Sequence, residues 1–145
     1  WNCLILVGAL SAISSGIKEC GAGDAVANLI IRILGEQPSA FMISTVIFFA
    51  AVLLTQVMSN IPTILVFMPI GLSIAEKIGV SPYPIAMIIT LAGAASYATP
   101  FAAPQNMMTV GWTKYKFMDF VKIGVPMVLL TYVVVVALIP IFLPY

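Results

Sequence analysis

Charged residues fall into short clusters along the chain, and long uncharged runs separate them. Lys18, Glu19, Asp24, Arg32 and Glu36 form the first cluster, Glu76 and Lys77 the second, and Lys114, Lys116, Asp119 and Lys122 the third. The runs between cover 1–17, 37–75, 78–113 and 123–145. About 20 apolar residues cross a hydrocarbon core about 30 Å thick. The two middle runs therefore have room for more than one helix each, or for one helix and an irregular stretch.

The first run, "CLILVGALSAISSGI" at 3–17, predicts a membrane helix cut short at its start, which "KECGAG" ends with charge and glycine. Asp24 can cap the next helix through its carboxylate, and Gly35 stops it after Leu34. Asp24, Asn28 and Arg32 recur there every four residues as one polar stripe, opposite Val26, Leu29, Ile30 and Ile33. The segment is too short to span and reads as an amphipathic helix lying in the interface. Pro38 and Ser39 open a further helix, with proline suited to the first turn, and the chain stays apolar for 19 residues from Ala40 to Met58. After Ser59–Pro62 a second apolar helix runs to Ala75, and "EKIGVSPYP" is a turn-rich loop. Residues 85–97 predict another helix, which meets "SYATPFAAPQNMM" in mid-run and resumes from Met107 to about Gly111. "KYKFMDFVKIG" is basic and aromatic, as suits a membrane interface. Ile123 to Leu143 is a last span of 21 residues, about 31 Å long as a helix.

Two backbone breaks thus fall in the middle of charge-free runs. Ser59–Pro62 can be a tight turn at the membrane surface between two spanning helices. It can equally be the tip of a re-entrant hairpin at mid-membrane, which the absence of Lys, Arg and Asp near it favours. Pro100 and Pro104 each remove a backbone donor, freeing carbonyls around Ala98 to Ala103. A plain proline kink is the simpler account, with Gln105 and Asn106 bonding to neighbouring helices. Two prolines followed by Gln-Asn point instead to a built break. Irregular backbone at membrane depth persists only where protein covers it or where it lines a cavity. Broken helices whose carbonyls lie near Ser, Thr and Asn oxygens are how transporters coordinate sodium without a full negative charge.

Composition sharpens the class. Of the 145 residues 62% are hydrophobic and 8% charged, with a mean hydropathy of +1.16, which leaves too little charge to cover a soluble domain and indicates an integral membrane protein. A net charge of +1 without a basic stripe gives no reason to expect a nucleic-acid partner. Cys3 and Cys20 suggest neither a metal site nor a disulfide framework. Histidine is absent, which removes the commonest general base. The methionines read as gap fillers, and Trp112 and Tyr115 as interface anchors. "GAGD" at 21–24 matches the GxGD pattern of intramembrane aspartyl proteases. Such an enzyme needs a second aspartate facing the first so that the pair can share a proton. The remaining aspartate, Asp119, lies between Lys116 and Lys122 in an interfacial segment. The expectation is therefore no enzyme. The chain opens at Trp1, and its first apolar run has no basic flank of the signal-peptide kind. It is expected to be a fragment of a longer protein, with a small native subunit as the alternative.

Taken in order, "WNCLILVGALSAISSGIKECG", "MSNIPTILVFMPI", "ASYATPFAAPQNMMTVG" and "KYKFMDFVKIGVP" resemble the C-terminal half of the divalent anion:sodium symporter family, within the ion-transporter superfamily. The resemblance covers nearly the whole chain. It implies an all-α integral membrane fold, one half of an inverted repeat, with a re-entrant helical hairpin and a broken transmembrane helix. On this chain, 1–17 becomes a truncated scaffold helix, 22–35 the amphipathic arm and 39–77 the hairpin, with the broken helix at 83–112 and the last transmembrane helix at 118–143. Hairpin and broken helix would move as one body in an elevator mechanism, beside a fixed homodimer scaffold.

The resemblance also implies a site. Sodium, the coupling ion, would bind Thr55 and Asn60 through side chains and the carbonyls near Met58 and Ala102. A small anion would meet Ser59, Asn60, Ile61, Ala103 and Pro104, held by hydrogen bonds and helix ends rather than by arginine. No organic cofactor is implied. The partners are the anion, the bilayer, and an upstream N-terminal repeat of the same protein. The setting is a multi-pass protein of the cell membrane with the Tyr145 end extracytoplasmic. That topology puts Lys18, Arg32 and Lys77 outside against Lys114, Lys116 and Lys122 inside, a tie under the positive-inside rule. Two positions depart from the family pattern: Ile61 replaces the last residue of the Ser-Asn-Thr tip, and Ala103 replaces a threonine common in the second break. Each lost hydroxyl is worth about 1 kcal/mol net, yet specificity can turn on such groups. Di- and tricarboxylates, sulfate and related oxyanions stay open as substrates. The arsenite and sodium/proton exchanger branches of the superfamily are the alternative, and a structural membrane subunit the alternative outside transport.

Overall fold

The structure is a computed structural model that describes residues 39–112 and 115–143, together with Ile5, Gly8, Ala9, Ala12, Ser15, Gly16, Glu19, Cys20, Gly21 and Asn28. Most of the expected scaffold helix and arm lies outside the described residues. Five helices make up the continuous part: α1 Ala40–Thr55, α2 Asn60–Ile78, α3 Pro82–Ala94, α4 Pro104–Trp112 and α5 Phe117–Phe142. The fold is all-α, and the described residues contain no strand.

Helix ends differ from expectation for reasons visible in the sequence. α1 stops at Thr55, three residues before Met58. α2 starts at Asn60 and carries Pro62 in its first turn, where a missing N–H costs nothing. It also runs past Ala75 to Ile78, so Glu76 and Lys77 are helical rather than part of the loop. Gly79 ends it at φ 72°, where a side chain would be strained. Val80 N–H then donates to Ala75 O at 3.1 Å and Gly79 N–H to Glu76 O at 3.4 Å, the paired bonds of a Schellman motif. α5 begins at Phe117, six residues before the apolar run at Ile123, because Asp119 accepts the Lys116 N–H at 2.9 Å in a capping box.

α2, with 19 residues and a mean hydropathy of 1.6, and α5, with 26 residues and 2.6, are long and apolar enough to cross a membrane. α1 has 16 residues and α3 has 13; at 1.5 Å per residue they reach about 24 and 20 Å.

α1, α2 and α3 share a core of Ile43, Ile47, Ile70, Ile74, Ala75, Ile85 and Ile89. Two glycines bring α2 and α3 together. A Cβ on Gly71 would lie 2.3 Å from Ile89 Cδ1, and one on Gly93 would lie 2.4 Å from Ile64 Cγ1. A second core joins α5 to α1 and α3 through Phe48, Val52, Ile88, Val128, Val135 and Ile139. Tyr132 packs against Phe48 and Phe49 at centroid distances of 5.4 and 4.9 Å, and its hydroxyl shares a 3.0 Å hydrogen bond with Thr45. These contacts set the turn after α1 beside the irregular stretch after α3.

Candidate functional site

The turn between α1 and α2 covers residues 56–59, and the break between α3 and α4 covers 95–103. The break opens earlier and closes earlier than expected, since α3 ends at Ala94 rather than at residue 97 and α4 starts at Pro104 rather than at Met107. Proline at the first helical position explains the second difference, because its fixed φ suits a helix start and its missing N–H is no loss there. Side chains from the turn explain the first.

A helix end leaves its last four carbonyls without intrahelical donors. At the end of α3, Thr55 Oγ1 donates to Gly93 O at 2.8 Å. Gln56 Nε2 donates to Ala95 O at 3.0 Å and to Val52 O at 3.1 Å. Its Oε1 accepts the Ala98 N–H at 3.0 Å, and its backbone carbonyl accepts the Thr99 hydroxyl at 2.7 Å. The amide orientation of Gln56 is fixed by chemistry, since turning it over would face oxygen to two carbonyls and nitrogen to an N–H. Three hydrogen bonds therefore fasten the turn to the break, and a fourth joins the end of α1 to the end of α3 beside them, together worth a few kcal/mol at about 1 kcal/mol each.

The far side of the break is closed from α4. Asn106 Nδ2 donates to Ser96 O at 2.8 Å and to Thr99 O at 2.9 Å. In a continuous helix Ser96 O would look to the amide of residue 100, which is proline. Asn106 supplies the missing donor, and both of its amide hydrogens are used. α5 closes the third side. A Cβ on Gly124 would lie 2.4 Å from both Ala98 Cα and Tyr97 O, so α5 approaches the break backbone to backbone. Among the described residues every buried side-chain nitrogen and oxygen has a partner.

The structure brings Thr55 and Asn60 together, with Thr55 Oγ1 and the Asn60 amide oxygen atom 3.1 Å apart. Thr55 has one hydroxyl hydrogen and gives it to Gly93 O. With that hydrogen given to Gly93 O, the Thr55 and Asn60 oxygens lie side by side as two acceptors. Thr55 is fully buried and Asn60 half-buried. Met58 and Ser59 are exposed, Ile61 is 50% exposed, and the Ala102 and Ala103 side chains are buried. Pro62 has no N–H to offer the Met58 carbonyl, and among the described residues no donor reaches Met58 O or Ala102 O. The Ser59 carbonyl accepts from Thr63 N–H at 3.4 Å and Thr63 Oγ1 at 3.2 Å. The Ala103 carbonyl accepts the Asn106 and Met107 amides at the start of α4. Ser59 is the N-cap of α2 but makes no side-chain cap bond.

A pocket of about 210 Å³ lies elsewhere, between the break, α4 and the start of α5, with Tyr97, Asn106, Asp119, Phe120 and Gly124 in its wall. None of the residues expected to bind ion or anion lines it. Gln56 and Asn106 hold this region together. Asn106 was legible as a bonding residue after two prolines. Gln56 stood out by no motif, and its only signal was an amide at the end of an apolar helix.

Two helices of membrane-spanning length beside a clasped helix break form an arrangement that membrane transporters use. Residues 1–145 match the family described as "Citrate transporter" (CitMHS). The chain is 32% identical over 145 residues to the uncharacterized transporter YfbS of Escherichia coli, covering all of this chain and 24% of that protein. It is 34% identical over 124 residues to human solute carrier family 13 member 1, covering 86% of this chain and 20% of that one. To the rat Na(+)/citrate cotransporter it is 26% identical over 127 residues, covering 88% and 22%. The chain belongs to the citrate transporter family, a family of transporters and not of enzymes. Its kinship with the divalent anion:sodium symporters follows from these relatives. It spans between a fifth and a quarter of the length of the relatives named here.

Proposed function

We propose that the chain supplies one half of the transport site of a sodium-coupled symporter for small anions, with di- and tricarboxylates, sulfate and related oxyanions as the substrate class. The observation that carries this reading is the fastening of the Gln56–Ser59 turn to the Ala95–Ala103 break, two segments that lie in charge-free stretches of the chain. Sodium binds against the Thr55 hydroxyl, the Asn60 amide oxygen and the carbonyls of Met58 and Ala102. A bare carbonyl and an amide oxygen are suited to a hard cation that the protein must release again. The anion meets Ser59, Asn60, Ile61, Ala103 and Pro104, where the starts of α2 and α4 add partial positive charge. Bound sodium offsets the rest. The name of the rat relative, a sodium/citrate cotransporter, supports both the ion and the substrate class.

The roughly 24 Å reach of α1 falls short of a 30 Å hydrocarbon core, which supports a re-entrant hairpin with its tip inside the membrane. The hydrogen bonds between turn and break support their moving as one body, as an elevator requires. The other half of the site comes from an upstream repeat of the same protein, and the length of the relatives supports its existence. The whole works as a homodimer in the cell membrane, with the Tyr145 end outside.

The test is uptake of labelled citrate, succinate and sulfate into proteoliposomes holding the full-length protein, with and without an inward sodium gradient. Sodium-dependent uptake of any of them is the expected result. Uptake that follows a proton gradient and ignores sodium would move the protein to the exchanger-like branch.

A further inference from the structure

The Gln56 side chain carries no charge and hydrogen-bonds to no expected anion position, yet this residue makes three bonds from the turn to the break, two through its side chain and one through its carbonyl. It gives two hydrogens to the carbonyls of Val52 and Ala95, takes the Ala98 N–H, and its own carbonyl takes the Thr99 hydroxyl. Its neighbour Thr55 and the residues Met58 and Asn60 lie on the hairpin, whereas Ala102 lies on the break. On the reading given above, sodium is held between these two pieces. The distance between ligands on the hairpin and ligands on the break is then set by whatever holds the pieces together, and Gln56 makes the central bonds of that contact.

We propose that Gln56 is the positioning residue that sets sodium affinity, by fixing the helix break against the hairpin turn without touching the ion. The glutamine amide serves all three side-chain bonds at once. A lysine has donors and no acceptor, an ionised carboxylate has acceptors and no donor, and an aliphatic side chain has neither. The required set is two donors toward carbonyls and one acceptor toward an N–H, at the reach of a glutamine. Supporting groups of this kind act by holding the residues that do the binding within a fraction of an ångström of their working places. Losing them lowers affinity while the binding oxygens themselves stay in the chain.

This inference rests on the sodium-symport reading, and its test separates the two. Full-length protein carrying Gln56→Met, which keeps side-chain length and removes both donors and the acceptor, is reconstituted beside the wild type. Two quantities are measured: the sodium concentration for half-maximal anion uptake, and backbone hydrogen exchange in the segment containing Ala98. Half-saturating sodium should rise about tenfold, the equivalent of one to two typical hydrogen bonds, with the maximal rate changed much less. Exchange at Ala98 should quicken by a similar factor, because its N–H donates to the side chain that has been removed. A general loss of folded protein would lower the maximal rate and leave half-saturation where it was. Should Gln56→Met fail to insert, Thr99→Val takes its place, removing only the hydroxyl that reaches the Gln56 carbonyl. Unchanged half-saturation beside a faster-exchanging Ala98 would overturn the proposal, leaving Gln56 a structural clasp. Unchanged exchange would overturn the clasp itself. If the wild type shows no sodium dependence, the symport reading falls and takes the affinity role with it, while the exchange result still decides the clasp.

Discussion

The hydroxyl of Thr55, the last residue of α1, donates to the carbonyl oxygen of Gly93 in the last turn of α3 across 2.8 Å. Both residues are buried, so no bulk water stands ready to replace either partner. Gly93 O is one of the carbonyls that the end of α3 leaves without a helical donor, and Thr55 is the residue that takes it up. Gly93 also lacks room for a side chain, since a Cβ there would lie 2.4 Å from Ile64 Cγ1. Hairpin and broken helix are thus matched at one point by a hydrogen bond and by the absence of a methyl group.

Thr55→Val keeps the shape and removes the donor. It should destabilise the protein by about 1–3 kcal/mol, the cost of a buried carbonyl left unpaired, read as a lower unfolding midpoint in detergent. Half-saturating sodium should rise as well. Thr55→Ser, which retains the hydroxyl, should restore most of both.

Asn106→Asp should break the other clasp. An ionised carboxylate has no hydrogen for Ser96 O or Thr99 O and would face two carbonyl oxygens. Destabilisation of about 2 kcal/mol or more is expected from two lost bonds plus that repulsion, measured by thermal unfolding. Asn106→Ala should cost less, because it leaves acceptors unpaired without adding a charge.

Gly124→Ala and Gly111→Ala form a matched pair. A methyl on Gly124 would sit 2.4 Å from the Ala98 backbone, which cannot swing aside as a side chain can, whereas one on Gly111 meets nothing within 4 Å. The first should lower thermal stability and loosen the break, with faster hydrogen exchange across residues 95–103. The second should be neutral or slightly stabilising, as helical Gly→Ala changes are by up to about 1 kcal/mol.

Much of this arrangement was visible in the chain itself. Charge-free runs gave the membrane helices, and Pro62, Pro100 and Pro104 gave the places where helix could not continue. Proline acts through its own ring, so its effect is local and readable. The extents were harder. α3 ends three residues before residue 97 because Gln56 and Thr55, about 40 residues earlier, capture the backbone there, and no local propensity encodes a cap from so far away. α5 starts ahead of the apolar run at Ile123 because Asp119 caps it, within a segment that reads as interfacial by its charges and aromatics. Gln56 escaped notice for the same reason as the end of α3. An amide becomes a clasp only when tertiary packing sets carbonyls and an N–H around it, and the sequence shows just one polar residue after an apolar run.

Ile61 is half exposed beside Asn60, at the tip of the hairpin. On the proposed site, Ile61→Thr adds a hydroxyl where the anion is read. It should extend transport toward dicarboxylates, with uptake of succinate rising relative to sulfate. A changed ratio in competition assays checks it. An unchanged ratio, in protein that still transports, would remove Ile61 from the anion site.

On the proposed site, sodium and anion cross together through the turn and the break. The most direct test is entry of radiolabelled sodium into proteoliposomes holding the full-length protein, driven by an inward gradient of unlabelled citrate, succinate or sulfate. Sodium should enter only when a transported anion is present, and its entry should fall strongly with Asn60→Ala. Anion entry with no accompanying sodium, or sodium coupling untouched by Asn60→Ala, would contradict the proposed site.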